Sequence, residues 1–419
     1  MDTTKSLWTE HISTKYNTTY WFNKETGKSV WVKPDELKDI DSNNNNNETV
    51  VENKNQVESS GTRKRSSSAV DDAEMKMITR KQDIETIDRI IKQEDSEASF
   101  NAPTCPRLIS VVNIPQLIST LRTEKPKIQS SKGSLHPDVD IIFNLDGVDT
   151  SLITRAFQED QMLKTQLKLK KNNKVIDLPS FWEVWSRNGD LARAILSSKD
   201  CHEAKWASQK TFGYKLATNF MPGYAKALYE YFRAESVLDP CAGWGDRLVG
   251  AVAANDPLLR NYVAFDPNFY LRPGYVKQMK AFGHGVKDIS KDKILFSNGF
   301  TIYSLPFEEG AVHLQSESFD LVFTSPPFFD YEMYNPENPQ YSDWIQQFYI
   351  PLMKESCRCV REGGHVAIYV GDTSAGEIDD FMRITVPKIL PSLVPLKQVA
   401  FRGMASEKIR GIWVYKKKN

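Results

Sequence analysis

One stretch constrains this chain more than any other. Ser236-Val237-Leu238-Asp239, a short apolar run ending in an acid, leads directly into Pro240-Cys241-Ala242-Gly243-Trp244-Gly245 and then the apolar run 248–254. A strand that opens through a glycine turn into a helix begins a parallel βαβ unit, because glycines let backbone approach backbone or ligand closely. The next apolar run, 262–265, ends in Asp266, 21 residues after Gly245. A carboxylate at that spacing is placed to hold ribose hydroxyls, and a turn without the third glycine of a dinucleotide fingerprint suits a shorter, adenosyl ligand.

Further strand-like runs follow at 294–296, 321–323, 365–370, 396–401 and 412–415, which with the first two predicts seven strands. The last two are close enough in sequence to pair antiparallel. Between the fourth and fifth, Trp344, Ile345, Phe348, Leu352 and Met353 share one face of a predicted helix. The fourth run ends in Thr324-Ser325-Pro326-Pro327-Phe328, and ligands of an open α/β sheet bind at the carboxyl ends of its strands. Two adjacent prolines fix φ and remove two backbone donors, leaving the Ser325 and Pro326 carbonyls as acceptors beside the ring of Phe328. Such a turn can hold a planar amine and aim its nitrogen lone pair at an electrophile.

The glycine turn with its downstream acid resembles the class I S-adenosylmethionine-dependent methyltransferases, a Rossmann-like α/β fold with a reversed seventh strand. With that turn upstream, TSPPF is similar to the catalytic motif of amino-methyltransferases. The wider text, NFMPGYAKAL, LDPCAGWGDRL, FDPN and TSPPFFDYEMY, resembles phage and bacterial DNA-modifying enzymes that act on cytosine N4 or adenine N6. The resemblance implies S-adenosyl-L-methionine as cofactor and a nucleobase amine in DNA or RNA as target. By it, Asp239, Ala242, Gly243 and Gly245 hold the cofactor, Asp266 its ribose and Asn298 its adenine. Asn219, Phe220 and Pro222 pack on the methionine end, and Ser325, Pro326, Pro327 and Phe328 carry catalysis. A protein glutamine or a small amine is an alternative target for the same motif, and an inactive binding protein is a second alternative.

Residues 8–34 are dense in aromatics: Trp8, Tyr20-Trp21-Phe22, Trp31, with Pro34 three residues further on. Alternating aromatics around Asn23-Lys24-Glu25-Thr26-Gly27 predict three short antiparallel strands. This resembles a WW domain, which implies a groove built from Tyr20 and Trp31 for a proline-rich, or phosphorylated proline-containing, protein segment. A polyproline helix has little entropy to lose, so two rings can grip it. A WW module ahead of a methyltransferase is similar in architecture to eukaryotic cap-adenosine methyltransferases that bind the phosphorylated polymerase tail, whose motif is Asn-Pro-Pro-Phe where this chain has Ser325.

The chain thus divides into a WW module over 5–37, a disordered linker over 38–100 with an amphipathic helix near 72–94, a mostly helical extension over 101–218, and the methyltransferase domain over 219–419. The linker contains Asn43 to Asn47 and a Ser/Arg/Lys stretch, too polar to bury a core. In the extension, helices are predicted at 114–121, 151–168 and 181–195, with a further one at 222–232. With 54 basic and 54 acidic residues, no global field argues for a polyanionic partner, so any such contact needs a local patch. Five scattered cysteines form no CxxC pair, and Cys201-His202-Glu203 does not converge on one ion, so no metal site is expected. No apolar run suits a membrane span or signal core, so an intracellular protein is expected, the nucleus favoured over the cytoplasm; Arg63-Lys64-Arg65 reads as a solvated basic patch sooner than as a nuclear import signal.

Overall fold

The computed structural model describes residues 8–13, 18–23, 29–30, 113–130, 139–145, 149–171, 174–187, 209–255, 259–327, 344–370, 377–396, 398–402 and 409–419. Two compact units divide the chain, one formed by 1–79 with 340–343, the other by the remainder. In the first, strands β1 (Trp8–Ser13), β2 (Thr18–Asn23) and β3 (Ser29–Val30) form an antiparallel meander. His11 is the register partner of Tyr20, and Trp21 of Val30. Trp31, Pro34, the amphipathic 72–94 segment and Arg63-Lys64-Arg65 lie outside the described residues.

The second unit begins with α1 (Ile114–Thr123), β4 (Lys127–Ser130), β5 (Val139–Asn144) and α2 (Ser151–Lys164). A ribbon of β6 (Leu167–Lys171) and β7 (Lys174–Leu178) follows, then α3 (Phe181–Arg187) and α4 (Pro222–Tyr231). The central unit is β8 (Ser236–Asp239), α5 (Asp246–Ala253), β9 (Asn261–Phe265), α6 (Arg272–Ala281), β10 (Val286–Ser290), β11 (Lys293–Phe296) and β12 (Thr301–Tyr303). Beyond it come β13 (Phe319–Thr324), α7 (Ile350–Cys359), β14 (Val360–Ile368), β15 (Leu393–Pro395), β16 (Gln398–Arg402) and β17 (Ile409–Lys417).

Strand order runs β10-β11-β12-β9-β8-β13-β14-β17-β16-β5-β4, with β15 pairing β17. From β12 to β14 the neighbours are parallel, and β17 is antiparallel to both β14 and β16. This is a mixed α/β fold around a Rossmann-like sheet. Val237, Leu238, Leu321, Val322 and Phe323 are fully buried, as strands covered on both faces require, which is why these segments read as continuous apolar runs. The chain winds outward from β8 through β9 to β12, then returns to place β13 on the other side of β8. A crevice opens at that reversal, outside the carboxyl ends of β8 and β13.

Three expectations are corrected. The third parallel strand is β12, not 294–296, which is β11 and antiparallel to it. Ile294 and Phe296 alternate with half-buried neighbours, the signature of a one-sided strand, whereas β12 has a single fully buried residue, Ile302, and too little apolar signal to stand out. The described residues of 101–218 are not helices alone: β5 joins the main sheet parallel to β16, and the helix expected over 151–168 stops at Lys164. There Thr165 turns extended, and Leu167-Lys168-Leu169-Lys170 alternates with the period of a strand. Within the helix before β14, a wide turn at Ile345–Tyr349 shifts the phase, so Tyr349 rather than Phe348 is fully buried.

Candidate functional site

The carboxyl end of β8 is closed by Asp239, which is wholly buried. Its Oδ2 accepts from Arg247 Nε at 2.8 Å and Tyr262 OH at 2.7 Å, and its Oδ1 from Thr324 Oγ1 at 2.9 Å and Cys241 N at 3.2 Å. Burial opposes charge on Arg247, but the facing Asp239 carboxylate holds its guanidinium protonated. A buried charge is tolerable only when paired and hydrogen-bonded, and this one is both. Four donors from the chain itself thus occupy the Asp239 carboxylate. It ties the first strand, the glycine turn, β9 and β13 together, a role invisible in sequence because the partners lie up to 85 residues away.

The two glycines of the turn differ. Gly245 has φ +89°, caps α5, and is so close to α6 that an added Cβ would overlap the Gln278 side chain. Gln278 Nε2 also donates to Trp244 O at 2.8 Å. Gly243, with φ +56°, is less crowded: an added Cβ would make only ordinary contacts, with Cys241 O at 3.9 Å and Arg247 Nη2 at 4.0 Å. Gly245 thus packs the turn, while Gly243 supplies its positive φ and spends its own backbone on the chain, its N–H donating to Asp266 and its carbonyl accepting from Tyr275 OH. Ala242 is buried in the core cluster and donates its N–H to Phe265 O at 2.7 Å, so its contribution is to the turn's shape.

Asp266, half-buried at the end of β9, accepts from Gly243 N and Asn268 N, each at 2.9 Å. Burial pushes its carboxyl up to about 7, against those two N–H donors and Arg247, while the Asp239 charge adds to the rise. Asp246, the first residue of α5, is likewise raised to about 7 by burial, against a hydrogen bond from Asn219 and the nearby Arg247 and Arg155 charges. Asn219 Nδ2 donates to Asp246 Oδ2 at 3.0 Å and its Oδ1 accepts from Arg155 Nε at 3.0 Å. Asn219 thus braces the turn through Asp246.

Phe220 meets Phe323 and Tyr369 edge-on at 5.5 and 5.2 Å, with the Arg247 guanidinium 5.9 Å from its ring centre. This places an aromatic wall at the carboxyl ends of β13 and β14. Pro222 opens α4 and is buried, its carbonyl against Gly250 of α5. It shapes the helix start.

Asn298 is a further correction. It sits in the hairpin turn between β11 and β12, where its Oδ1 accepts from Phe300 N at 3.2 Å. Because β12 runs parallel to β9, that turn is at the amino end of the strands, opposite to Asp266, and no adenine held beside Asp266 can touch it. Spacing alone placed Asn298 after a parallel strand; strand direction removes it.

At the end of β13, Thr324 is fully buried, accepting from Cys241 N at 3.0 Å while donating to Asp239. Its carbonyl accepts from Tyr369 N at 2.9 Å. The motif turn begins at the next residue, with Ser325 half-buried, Pro326 buried and Pro327 half-buried. Phe328 lies outside the described residues. The sequence reading passed over Thr324, Arg247 and Tyr262. An acid at a strand end with an arginine eight residues on, 239 and 247, was the one local clue. Among the described residues no group of three or more His, Cys, Asp or Glu could hold a metal ion; Cys201-His202-Glu203 lies outside them.

No family model and no curated protein matches the chain. Solved structures that it resembles include TrmN from Thermus thermophilus, at 14% identity over 47% of this chain and 49% of that one, with a TM-score of 0.34. The matched part is thus about half of TrmN. The tRNA methyltransferase TrmI from Aquifex aeolicus is 12% identical over 48% of this chain and 71% of its own, with a TM-score of 0.29. The O-methyltransferase TomG from Streptomyces achromogenes, solved in complex with SAM, is 11% identical over 50% and 86%, with a TM-score of 0.32. Likenesses this distant assign no substrate or cofactor, and the Rossmann-like sheet of this chain stands on its own strand order, β12-β9-β8-β13-β14-β17-β16 with β17 reversed.

Proposed function

We propose that the chain transfers a methyl group from S-adenosyl-L-methionine to the exocyclic amine of a nucleobase, cytosine N4 or adenine N6. The observation that carries this reading is Thr324, whose hydroxyl joins Cys241 N of the glycine turn to the residue immediately before Ser325-Pro326-Pro327. A cofactor cradle and an amine-accepting turn so coupled lie at one crevice, where positioning supplies much of the rate. The residues fit the cofactor: Gly243 has a positive φ and no clash at its Cβ position, and the Asp266 carboxylate keeps acceptor capacity beyond its two backbone donors.

Bound, the cofactor would supply an electrophilic methyl group on a sulfonium. The chain's own residues do the rest. Asp266 accepts from ribose hydroxyls, Gly243 lets backbone approach, and the Ser325 hydroxyl and Pro326 carbonyl accept from the target NH2. Those two acceptors pull electron density onto the amine nitrogen and set its lone pair toward the methyl group. Phe328 provides the face against which the base stacks.

The test is to incubate the protein with methyl-labelled cofactor, separate DNA, RNA and protein pools, and digest the labelled one. Label in a methylated base is the expected result; label in glutamine alone refutes the nucleobase assignment. Ser325→Ala should slow turnover by roughly 10- to 1000-fold with cofactor affinity unchanged, since one of two acceptors is lost. The β1–β3 meander, we propose further, is a WW module that recruits a proline-rich or phosphorylated segment through Tyr20 and Trp31. Trp31→Ala should abolish that binding without touching methyl transfer to a short oligonucleotide.

A further inference from the structure

The chain as a whole is charge-balanced, yet residues 161–176 contain Lys164, Lys168, Lys170, Lys171 and Lys174 and no acid. They belong to the end of α2 and to the β6–β7 ribbon. Its register pairs Leu167 with Leu178 at the base, Lys168 with Asp177, Leu169 with Ile176, and Lys171 with Lys174 at the tip. The base is anchored in the body, for Leu163, Leu167, Leu178 and Phe181 are buried and Phe181 meets Tyr214 edge-on at 5.2 Å. Ile176, one step outward from Leu178 on the same face, is 43% exposed, so the ribbon leaves the body there. Like charges placed opposite one another in a strand pair are destabilising. With Lys171 and Lys174 as register partners, the sequence at this end of the ribbon favours a negative partner.

The ribbon is also positioned by the site. Arg155 of α2 donates from Nε to Asn219 Oδ1 at 3.0 Å, Asn219 in turn holding Asp246 just after the glycine turn, and one turn further Gln158 Nε2 donates to Leu271 O at 3.1 Å, beyond the carboxyl end of β9. The helix that makes these contacts ends at Lys164, and the ribbon follows from that end. Lys164 Nζ stands 5.8 Å from the centre of the half-buried Trp182 ring, which puts an aromatic face beside the basic run.

We propose that the β6–β7 ribbon grips the phosphate backbone of the nucleic-acid strand whose base is presented to Ser325-Pro326-Pro327. The proposal rests on the nucleobase reading above and names how the strand is held. Each lysine–phosphate contact releases condensed counterions, so the ribbon should write its signature into the salt dependence of binding. Lysine suits this task because a point charge on a flexible stem follows a backbone without reading sequence.

The experiment compares the full chain, a variant carrying Lys168→Gln, Lys170→Gln, Lys171→Gln and Lys174→Gln, and one carrying arginine at the same four positions. Anisotropy with fluorescent DNA and RNA single strands of about 20 nucleotides is followed from about 50 to about 200 mM salt. For the original and arginine chains, log affinity against log salt should be steeper than for the glutamine chain by about 3, so that this fourfold rise in salt costs them roughly 50-fold more. Affinity for S-adenosylhomocysteine and the melting curve should be the same in all three. Matching slopes and affinities in the original and glutamine chains would overturn the ribbon proposal and leave the nucleobase reading standing. No binding of either strand by the original chain at low salt overturns both.

Discussion

Thr324→Val tests whether the two halves of the crevice are held together as described. Valine keeps the β-branched shape of a fully buried threonine and removes only the hydroxyl. That hydroxyl makes two hydrogen bonds, to Asp239 Oδ1 at 2.9 Å and from Cys241 N at 3.0 Å. The bond to a carboxylate is worth about 1.5 to 3 kcal/mol, and the amide bond about 1 kcal/mol. Cys241 N keeps a second acceptor in Asp239 Oδ1 at 3.2 Å, so no buried donor is orphaned and the two values approach an upper limit. The expected loss is about 2 to 3 kcal/mol, or roughly 5 to 10 °C in the melting temperature of a domain this size. Thr324→Ser, which retains both bonds and loses a methyl group, should cost about 1 kcal/mol. Because Cys241 leads into the Gly243 turn, Thr324→Val should also weaken S-adenosylhomocysteine binding, whereas Thr324→Ser should not. Calorimetric melts and titration calorimetry measure both. A valine variant that melts within a degree of the original chain and binds equally well would refute the coupling.

Asp266 carries a carboxyl raised to about 7, and only its ionised form accepts from ribose hydroxyls while keeping both backbone donors. Affinity for S-adenosylhomocysteine should therefore rise roughly tenfold as pH climbs from about 6 to about 8, and Asp266→Asn should bind weakly with a flat profile; a flat profile in the original chain rules this out. Asp246, also raised to about 7, keeps its proton in the folded chain over a window where the unfolded chain, with a pKa of about 3.9, has released it. Its contribution thus lowers stability as pH rises from about 4 to about 7, and Asp246→Asn should flatten part of that decline in urea midpoints. Gly245→Ala combines a positive φ with overlap on Gln278, and should lose more than about 2 kcal/mol of stability. Gly243→Ala, whose Cβ would make only ordinary contacts with Cys241 O and Arg247 Nη2, should lose only the φ term of about 1 kcal/mol while weakening cofactor binding; equal melting losses in the two variants would contradict the division of labour between them.

The sequence by itself was enough for whatever is decided within one supersecondary unit. The β8 strand, its glycine turn and the Asp266 spacing are local grammar, and the run into Thr324-Ser325-Pro326-Pro327 ends its strand as expected because prolines cannot continue a ladder. Strand-like alternation in Leu167-Lys168-Leu169-Lys170 was equally present in the text, but a preceding helical pattern absorbed it. What tertiary structure alone decided was direction and company. Asn298 and Asp266 both follow strand-like runs, and only the pairing of β12 parallel to β9 shows that they lie at opposite ends of the sheet. Asp239 reads as a strand-end ligand for a cofactor, and only folding brings Tyr262 and Thr324 onto the carboxylate alongside Arg247. Periodicity reports which face of an element is buried, since that depends on neighbours three or four residues away. Which edge of a sheet an element reaches, and which distant donors saturate a buried charge, depend on pairings tens of residues apart that no local pattern encodes.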